Sequence, residues 1–183
     1  KGLLIGISAV GLATAGITYY NEPMCAFSGM GEHAVNTVLL VQPVISLIIN
    51  VVTGVLADRV QRTKIVRLGI ACSFVFGMAF TFGAGHTHSA LLLGVLWGCM
   101  HGFYFSAEEL INLMVMESVK PEVRGRASAA STLAYGIGDQ LGIFAISLVV
   151  GVLGMRITKL LFIGIPLVLA AVLIRQFTAR KTE

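Results

Sequence analysis

Apolar residues run in long stretches along this chain, and charged residues gather in the short breaks between them. Read from break to break, the pattern predicts six helices, at about 2–20, 35–57, 68–85, 89–116, 127–150 and 155–175. Each holds roughly the 20 residues that a helix needs to cross about 30 Å of hydrocarbon. The third carries no Asp, Glu, Lys or Arg between Arg67 and His86. The sixth is uncharged only from Leu160 to Ile174, so Lys159 is expected to snorkel to one interface. The fold class that follows is all-α integral membrane, with residues 1–183 forming a single six-helix bundle.

Composition agrees. Of 183 residues, 56% are hydrophobic and 12% charged, against about 45–50% and 25% in a soluble domain. A disordered chain needs the opposite balance. The basic residues are divided unevenly by the six spans. The side of the termini and of the second and fourth loops receives Lys1, Arg59, Arg62, Lys64, Arg67, Lys120, Arg124, Arg126, Arg175, Arg180 and Lys181. The other side receives Arg156 and Lys159. Positive loops stay in the cytoplasm, so a multi-pass protein of the plasma membrane with both termini cytoplasmic is expected. The net charge of +4 is thereby a matter of topology and calls for no nucleic-acid partner. Cys25, Cys72 and Cys99 are scattered and form neither a disulfide framework nor a metal spacing. His86 and His88 are two ligands on a loop, too few for a structural metal. No metal and no cofactor is expected. The first apolar run lacks the basic start and small-residue exit of a signal peptide, and a chain that begins with Lys suggests a fragment or a trimmed protein.

Polar groups at membrane depth are costly and are functional candidates by default. In the fourth span His101, Tyr104 and Glu108 recur at i, i+3 and i+7 and are expected on one helical face, with Glu109 on its flank. Glu108 falls about 10 Å nearer the cytoplasm than His101. Glu108 and Glu109 are candidates for proton exchange, against the plainer reading that both sit in the headgroup layer. Asp139 and Gln140 are nearly central in the fifth span, between Gly138 and Gly142. A mid-membrane Asp is a proton or cation site or is paired across helices, and His101 and Asn50 are the chemically suitable partners. Asn50, Gln42, Thr14 and Thr18 read as interhelical hydrogen bonds, Tyr19 and Tyr20 as interfacial aromatics and Trp97 as core. Ala127, Ser131, Ala134, Gly138 and Gly142 form a small-residue stripe for close helix packing. Pro43 and Pro166 should bend the second and sixth helices.

The most specific stretch joins the second and third spans: Gly54-Val-Leu-Ala-Asp58-Arg59-Val-Gln-Arg62-Thr-Lys64. An acid among bases at a membrane surface can cap a neighbouring helix and pair with arginine. A basic cytoplasmic turn with one stray acid reads equally well on physics alone. The stretch resembles the signature G-x-x-x-D-R-x-G-R-R/K of the major facilitator superfamily of secondary transporters. Gly54, Asp58, Arg59 and Arg62 match; Gln61 stands for a Gly and Thr63 for the second base, with Lys64 following. A softer likeness lies in the next cytoplasmic loop, where Glu117, Arg124, Gly125 and Arg126 resemble the family's E-x-x-P-x-x-x-R-G-R, with Pro121 one position later than the pattern has it.

The resemblance implies a bundle of two inverted three-helix repeats, one half of a twelve-span transporter. It implies a cytoplasmic latch at Gly54–Lys64, released during alternating access. The first and fourth helices of such a bundle line the central cavity, which favours the Glu108 face. The single Lys before the first span and the basic tail suit the second half. Expected partners are the lipid bilayer, a second six-helix half from the same gene product or another chain, and a small-molecule substrate. The expected function is transport of that solute, with proton coupling as a secondary expectation resting on His101, Glu108, Glu109 and Asp139. The alternative is a six-span channel or accessory subunit acting as a homodimer. An enzyme is not expected: no G-x-S-G or H-E-x-x-H occurs.

Overall fold

In the computed structural model the backbone is described for residues 2–179, and the side chains for these except residues 2, 3, 27 and 173–179. Lys1, Arg180, Lys181 and the Arg175 side chain, all used in the charge map, lie outside the described residues. The helices are α1 (Gly2–Thr18), α2 (Asn21–Phe27), α3 (Glu32–Arg59), α4 (Arg62–Gly83), α5 (Ala90–Glu117), α6 (Arg124–Leu153) and α7 (Met155–Ala179). A single 3-10 turn, Pro121–Val123, precedes α6. No strand occurs among the described residues. Five helices, α3 to α7, are long and apolar enough to cross a membrane. Helix α1, with 17 residues, reaches about 25 Å at 1.5 Å per residue. The protein is an all-helical integral membrane protein.

The expected spans coincide with α1 and α3 to α7, but the boundaries move. Helix α4 starts at Arg62, so the connection from α3 shrinks to Val60 and Gln61 and the Arg62–Lys64 bases lie on a helix. The segment after α1 adds the short helix α2, entered through Tyr20 in the left-handed region at φ 63°. Pro43 and Pro166 lie inside α3 and α7 without ending them. Ser89 caps α5 by accepting from the Leu92 amide, and Gly154, at φ 76°, turns α6 into α7.

Contacts sort the helix ends onto two sides. Lys159, in the first turns of α7, touches Gly16 and Tyr19 at the end of α1, and Arg156 touches Ala84 after α4. On the opposite side Arg62 at the start of α4 pairs with Glu117 at the end of α5. The principal pairings are α3 with α5, α1 with α6, α4 with α5, α1 with α7, and α4 with α7. Exchanging α1, α3 and α4 for α5, α6 and α7 in that order leaves this set of pairings unchanged. Without a hydrophobic drive between helices in lipid, close approach depends on small residues. Along α5, Gly94, Gly98 and Gly102 lie against Val41, Ile45 and Ile49 of α3. On the other seam a Cβ at Gly138 would sit 2.0 Å from the Ser8 carbonyl oxygen, and one at Gly142 would meet Leu12 and Ala15. The stripe thus packs closely, with Ala134, Gly138 and Gly142 against α1 and Ser131 on Asn112 of α5. Helices α1 and α5 are the most enclosed. Helices α3 and α6 expose Leu40, Val44, Leu47 and Val51, and Leu133, Ile137, Leu141 and Leu148, an apolar surface of a kind that soluble monomers avoid.

Candidate functional site

Two polar seams flank α5, one on each side. The first joins α1, α5 and α6. The Thr14 hydroxyl lies 2.6 Å from the Tyr104 hydroxyl and 2.9 Å from that of Tyr135. Tyr104 donates to the Val10 carbonyl, and its side chain is fully enclosed. One turn along α5 the Glu108 carboxyl interacts with Tyr135, and farther on Ser131 donates to Asn112. Glu108 Oε2 and Asp139 Oδ1 are both buried without a hydrogen-bond partner among the described residues. An unpartnered carboxyl oxygen is expensive in a low-dielectric interior. Two of them beside one hydroxyl cluster make this the most chemically loaded place in the bundle. It can hold protons, or a small group that offers donors.

The second seam faces α3. His101 Nδ1 lies 3.3 Å from the Ser46 hydroxyl, and its ring centroid is 4.3 Å from that of Phe105. Thr53 donates to Ser106 and Ser106 to Asn50 Oδ1, each at 2.6 Å. Glu109 is exposed and lines a cavity of about 400 Å³ with Asn50, Thr53, Gly54, Phe105 and Ser106.

The single face expected for His101, Tyr104 and Glu108 is therefore divided. On an ideal helix Tyr104 lies about 60° and Glu108 about 20° round from His101, in the same direction. Tyr104 so turns to α1, and the long Glu108 side chain reaches Tyr135 of α6 beside it, while His101 meets Ser46 of α3. Asp139 likewise meets neither of its expected partners, because His101 and Asn50 are engaged with each other's helices across the other seam. Gln140 is exposed and joins neither network. Thr14 and Asn50 make the interhelical bonds expected of them. Trp97 is core, 8% exposed and tilted against Phe80.

The two loop motifs meet. Arg62 forms an ion pair with Glu117, and both line a cavity of about 490 Å³ with Ala57, Asp58, Val60, Gln61, Thr63 and Met114. Asp58, Arg59 and Lys64 are exposed, as are Arg124 and Arg126 at the start of α6.

Lys159 overturns its expectation. It does not snorkel: it is 0% exposed. Its ammonium donates to the carbonyls of Gly16 at 2.7 Å and Tyr19 at 3.1 Å, and to Asn21 Oδ1, with the Phe80 ring centroid 5.6 Å away. The carbonyls left open where α1 ends and the negative end of that helix give the cation partners that an isolated α7 would lack. Asn21, a polar residue just past an apolar run, was the only sequence signal for this site.

No family model matches the chain. A protein from Geobacillus stearothermophilus, described as an uncharacterized protein in the sodM 3′ region, is 36% identical over 75 residues, which are 40% of this chain and 34% of that protein. The arabinose-proton symporter of Bacillus subtilis (strain 168) is 24% identical over 136 residues, 72% of this chain and 29% of that protein. The chain thus spans about a third of the length of these curated relatives. The likeness to a symporter and the membrane helices together indicate transport in general terms.

Proposed function

We propose that residues 1–183 form one six-helix half of a major-facilitator-type secondary transporter, working by alternating access on a small solute. The observation that carries this reading is the seam of Thr14, Tyr104, Glu108, Tyr135 and Asp139, buried at the first two and half-buried at the others, with its two unpartnered carboxyl oxygens at membrane depth. Such groups in a membrane protein mark substrate or proton pathways. The pairing set that survives exchange of the first three spans for the last three is what two inverted repeats would give. The exposed apolar faces of α3 and α6 are where a second bundle, from the same gene product or another chain, would pack. Gly54, Asp58, Arg59, Arg62 and Lys64, with Glu117, Arg124 and Arg126, form the cytoplasmic latch, and both termini lie in the cytoplasm. His101 and Glu109 border the pathway from the α3 side. Protons are the proposed coupling ion, and the relative named for arabinose makes a sugar the first substrate to try.

The test is uptake by the full gene product in proteoliposomes under an imposed proton gradient, with arabinose as first substrate in a panel of small solutes. Glu108→Gln and Asp139→Asn should abolish gradient-driven accumulation while leaving exchange of preloaded solute. Asp58→Asn should slow turnover. Accumulation indifferent to the gradient, or unaltered in both carboxyl variants, would remove the proton-coupled reading. Turnover unchanged in Asp58→Asn would remove the latch.

A further inference from the structure

On the side opposite the basic loops, a cavity of about 490 Å³ opens between α2, the α4–α5 connection and the junction of α6 with α7. Met24, Ala84, Val150 and Met155 make its walls apolar, and Ser28 and the Arg156 guanidinium are its polar end. Arg156 is held in place there. One of its nitrogens donates to the Ala84 carbonyl at 2.8 Å. Gly85, at φ +95°, leaves the space that nitrogen occupies, since a Cβ there would lie 2.3 Å from it. A guanidinium has five N–H donors, so one carbonyl leaves most of them open. Of the two cations that the charge map assigns to this side, Lys159 is enclosed, and Arg156 is the exposed one. Near its lining residues in the chain, Leu148, Val152, Leu153 and Ile157 are exposed apolar side chains.

We infer that this groove binds an anionic phospholipid, with its phosphate on Arg156 and an acyl chain along Met24, Val150 and Met155. The guanidinium fork matches two phosphate oxygens at once. The apolar walls beside it have no use for a free inorganic anion. A phosphatidylcholine would bring its own ammonium next to Arg156, which disfavours it relative to a lipid with no headgroup cation. Basic pockets on the cytoplasmic side of membrane helices recognise lipid headgroups by this chemistry, and Arg156 offers the same donors on the opposite side.

Native mass spectrometry of the full gene product in micelles with equal phosphatidylglycerol and phosphatidylcholine tests the site without recourse to transport. The wild type should retain phosphatidylglycerol preferentially. Arg156→Gln should lower that affinity roughly tenfold, and Arg156→Lys should keep part of the preference. Val150→Trp leaves the guanidinium in place and fills the apolar wall. It should reduce phosphatidylglycerol retention even if Arg156→Gln proves too unstable to measure. Excess inorganic phosphate should leave the lipid bound. Equal retention of the two lipids by the wild type, full preference in a folded Arg156→Gln, or unchanged retention in Val150→Trp would each overturn the assignment. Displacement by inorganic phosphate would show a site for a free anion instead.

Discussion

The seams α3–α5 and α1–α6 correspond under the exchange of three-helix sets, yet they are built differently. In the first, the close-approach positions all lie on one helix. Gly94, Gly98 and Gly102 receive the side chains of Val41, Ile45 and Ile49. In the second they are divided between the partners, and much of the contact is backbone to backbone: Gly11 against the Tyr135 carbonyl, Gly138 against that of Ser8. The first seam also meets Cβ atoms and backbone that no rotamer change can move, but its tightest gaps are 2.7–2.9 Å, whereas Gly138 and Gly11 leave only 2.0 and 2.2 Å to a helix carbonyl. The stiffer seam is also the one that encloses the hydroxyl and carboxyl cluster. Close backbones there leave the polar groups one another and a few helix carbonyls, those of Val10 and Ala134 among them, as partners.

The sharpest way to break that comparison is a methyl group. Gly138→Ala places its Cβ 2.0 Å from the Ser8 carbonyl oxygen, with no flexible neighbour to yield, and should cost about 3 kcal/mol or more. Gly98→Ala, whose nearest neighbours are Ile45 and the Gln42 carbonyl at 2.7 and 2.8 Å, should cost about 1–3 kcal/mol. Gly136→Ala, with nothing within 4 Å, should change stability by less than about 1 kcal/mol. Unfolding in mild detergent reads all three. Equal losses at 138 and 98 would show the two seams to be equally adaptable.

Lys159 joins the stiff seam to its neighbour by holding the end of α1 against α7. Lys159→Met strands two backbone carbonyls and the Asn21 amide oxygen and should cost about 3 kcal/mol. Cys25 in α2 gives a local readout. It is fully buried, and burial pushes its thiol up to about 11, so at pH 7 it is protonated and shielded from maleimide. Labelling of Cys25, read apart from the half-buried Cys72 and Cys99, should appear in Lys159→Met at temperatures where Cys25 of the wild type stays unlabelled. If Cys25 remained protected, the ammonium would not be what holds α1, α2 and α7 together.

Helices that are apolar for twenty residues announce themselves, and so does a stripe such as Ala127 to Gly142, because both follow from one helix at a time. What remained hidden depends on two or three helices at once. Lys159 reads as a snorkelling residue on α7 alone; its partners come from the end of α1, far away in the chain. His101 and Tyr104 share a face on an isolated helix, but a neighbour on either side of α5 divides that face. Asp139 reads as a mid-span residue on α6 alone, while its surroundings depend on which helix covers α6. The contact between the two loop motifs was equally out of reach, since Arg62 and Glu117 are brought together only when α4 lies along α5.

The hydroxyls within the stiff seam should show a graded response. Tyr104→Phe removes a group bonded to both Thr14 and the Val10 carbonyl, and should cost about 1–2 kcal/mol. Tyr135→Phe removes one that meets Thr14 and Glu108 in a half-buried setting, and should cost about 1 kcal/mol. If the two variants were equally stable, the network would be no tighter at its enclosed end than at its rim.

A small effect is also expected at the ion pair between Arg62 and Glu117, and there the comparison turns from stability to function. Their side chains are 31% and 48% exposed, so water screens the pair, and ordering two long side chains offsets part of the attraction. A double-mutant cycle of Arg62→Ala and Glu117→Ala should give a coupling below about 1 kcal/mol, weakening as salt is raised. The pair nevertheless joins the turn between the second and third spans to the end of the fourth, which belong to opposite three-helix sets. If those sets move against each other or against a second bundle, a contact worth little to unfolding can still weigh on the balance between two conformations. Glu117→Gln should then alter turnover several-fold while shifting the melting temperature by little. A variant that loses stability and turnover in proportion would make the pair an ordinary surface bridge and remove Arg62 and Glu117 from the proposed latch.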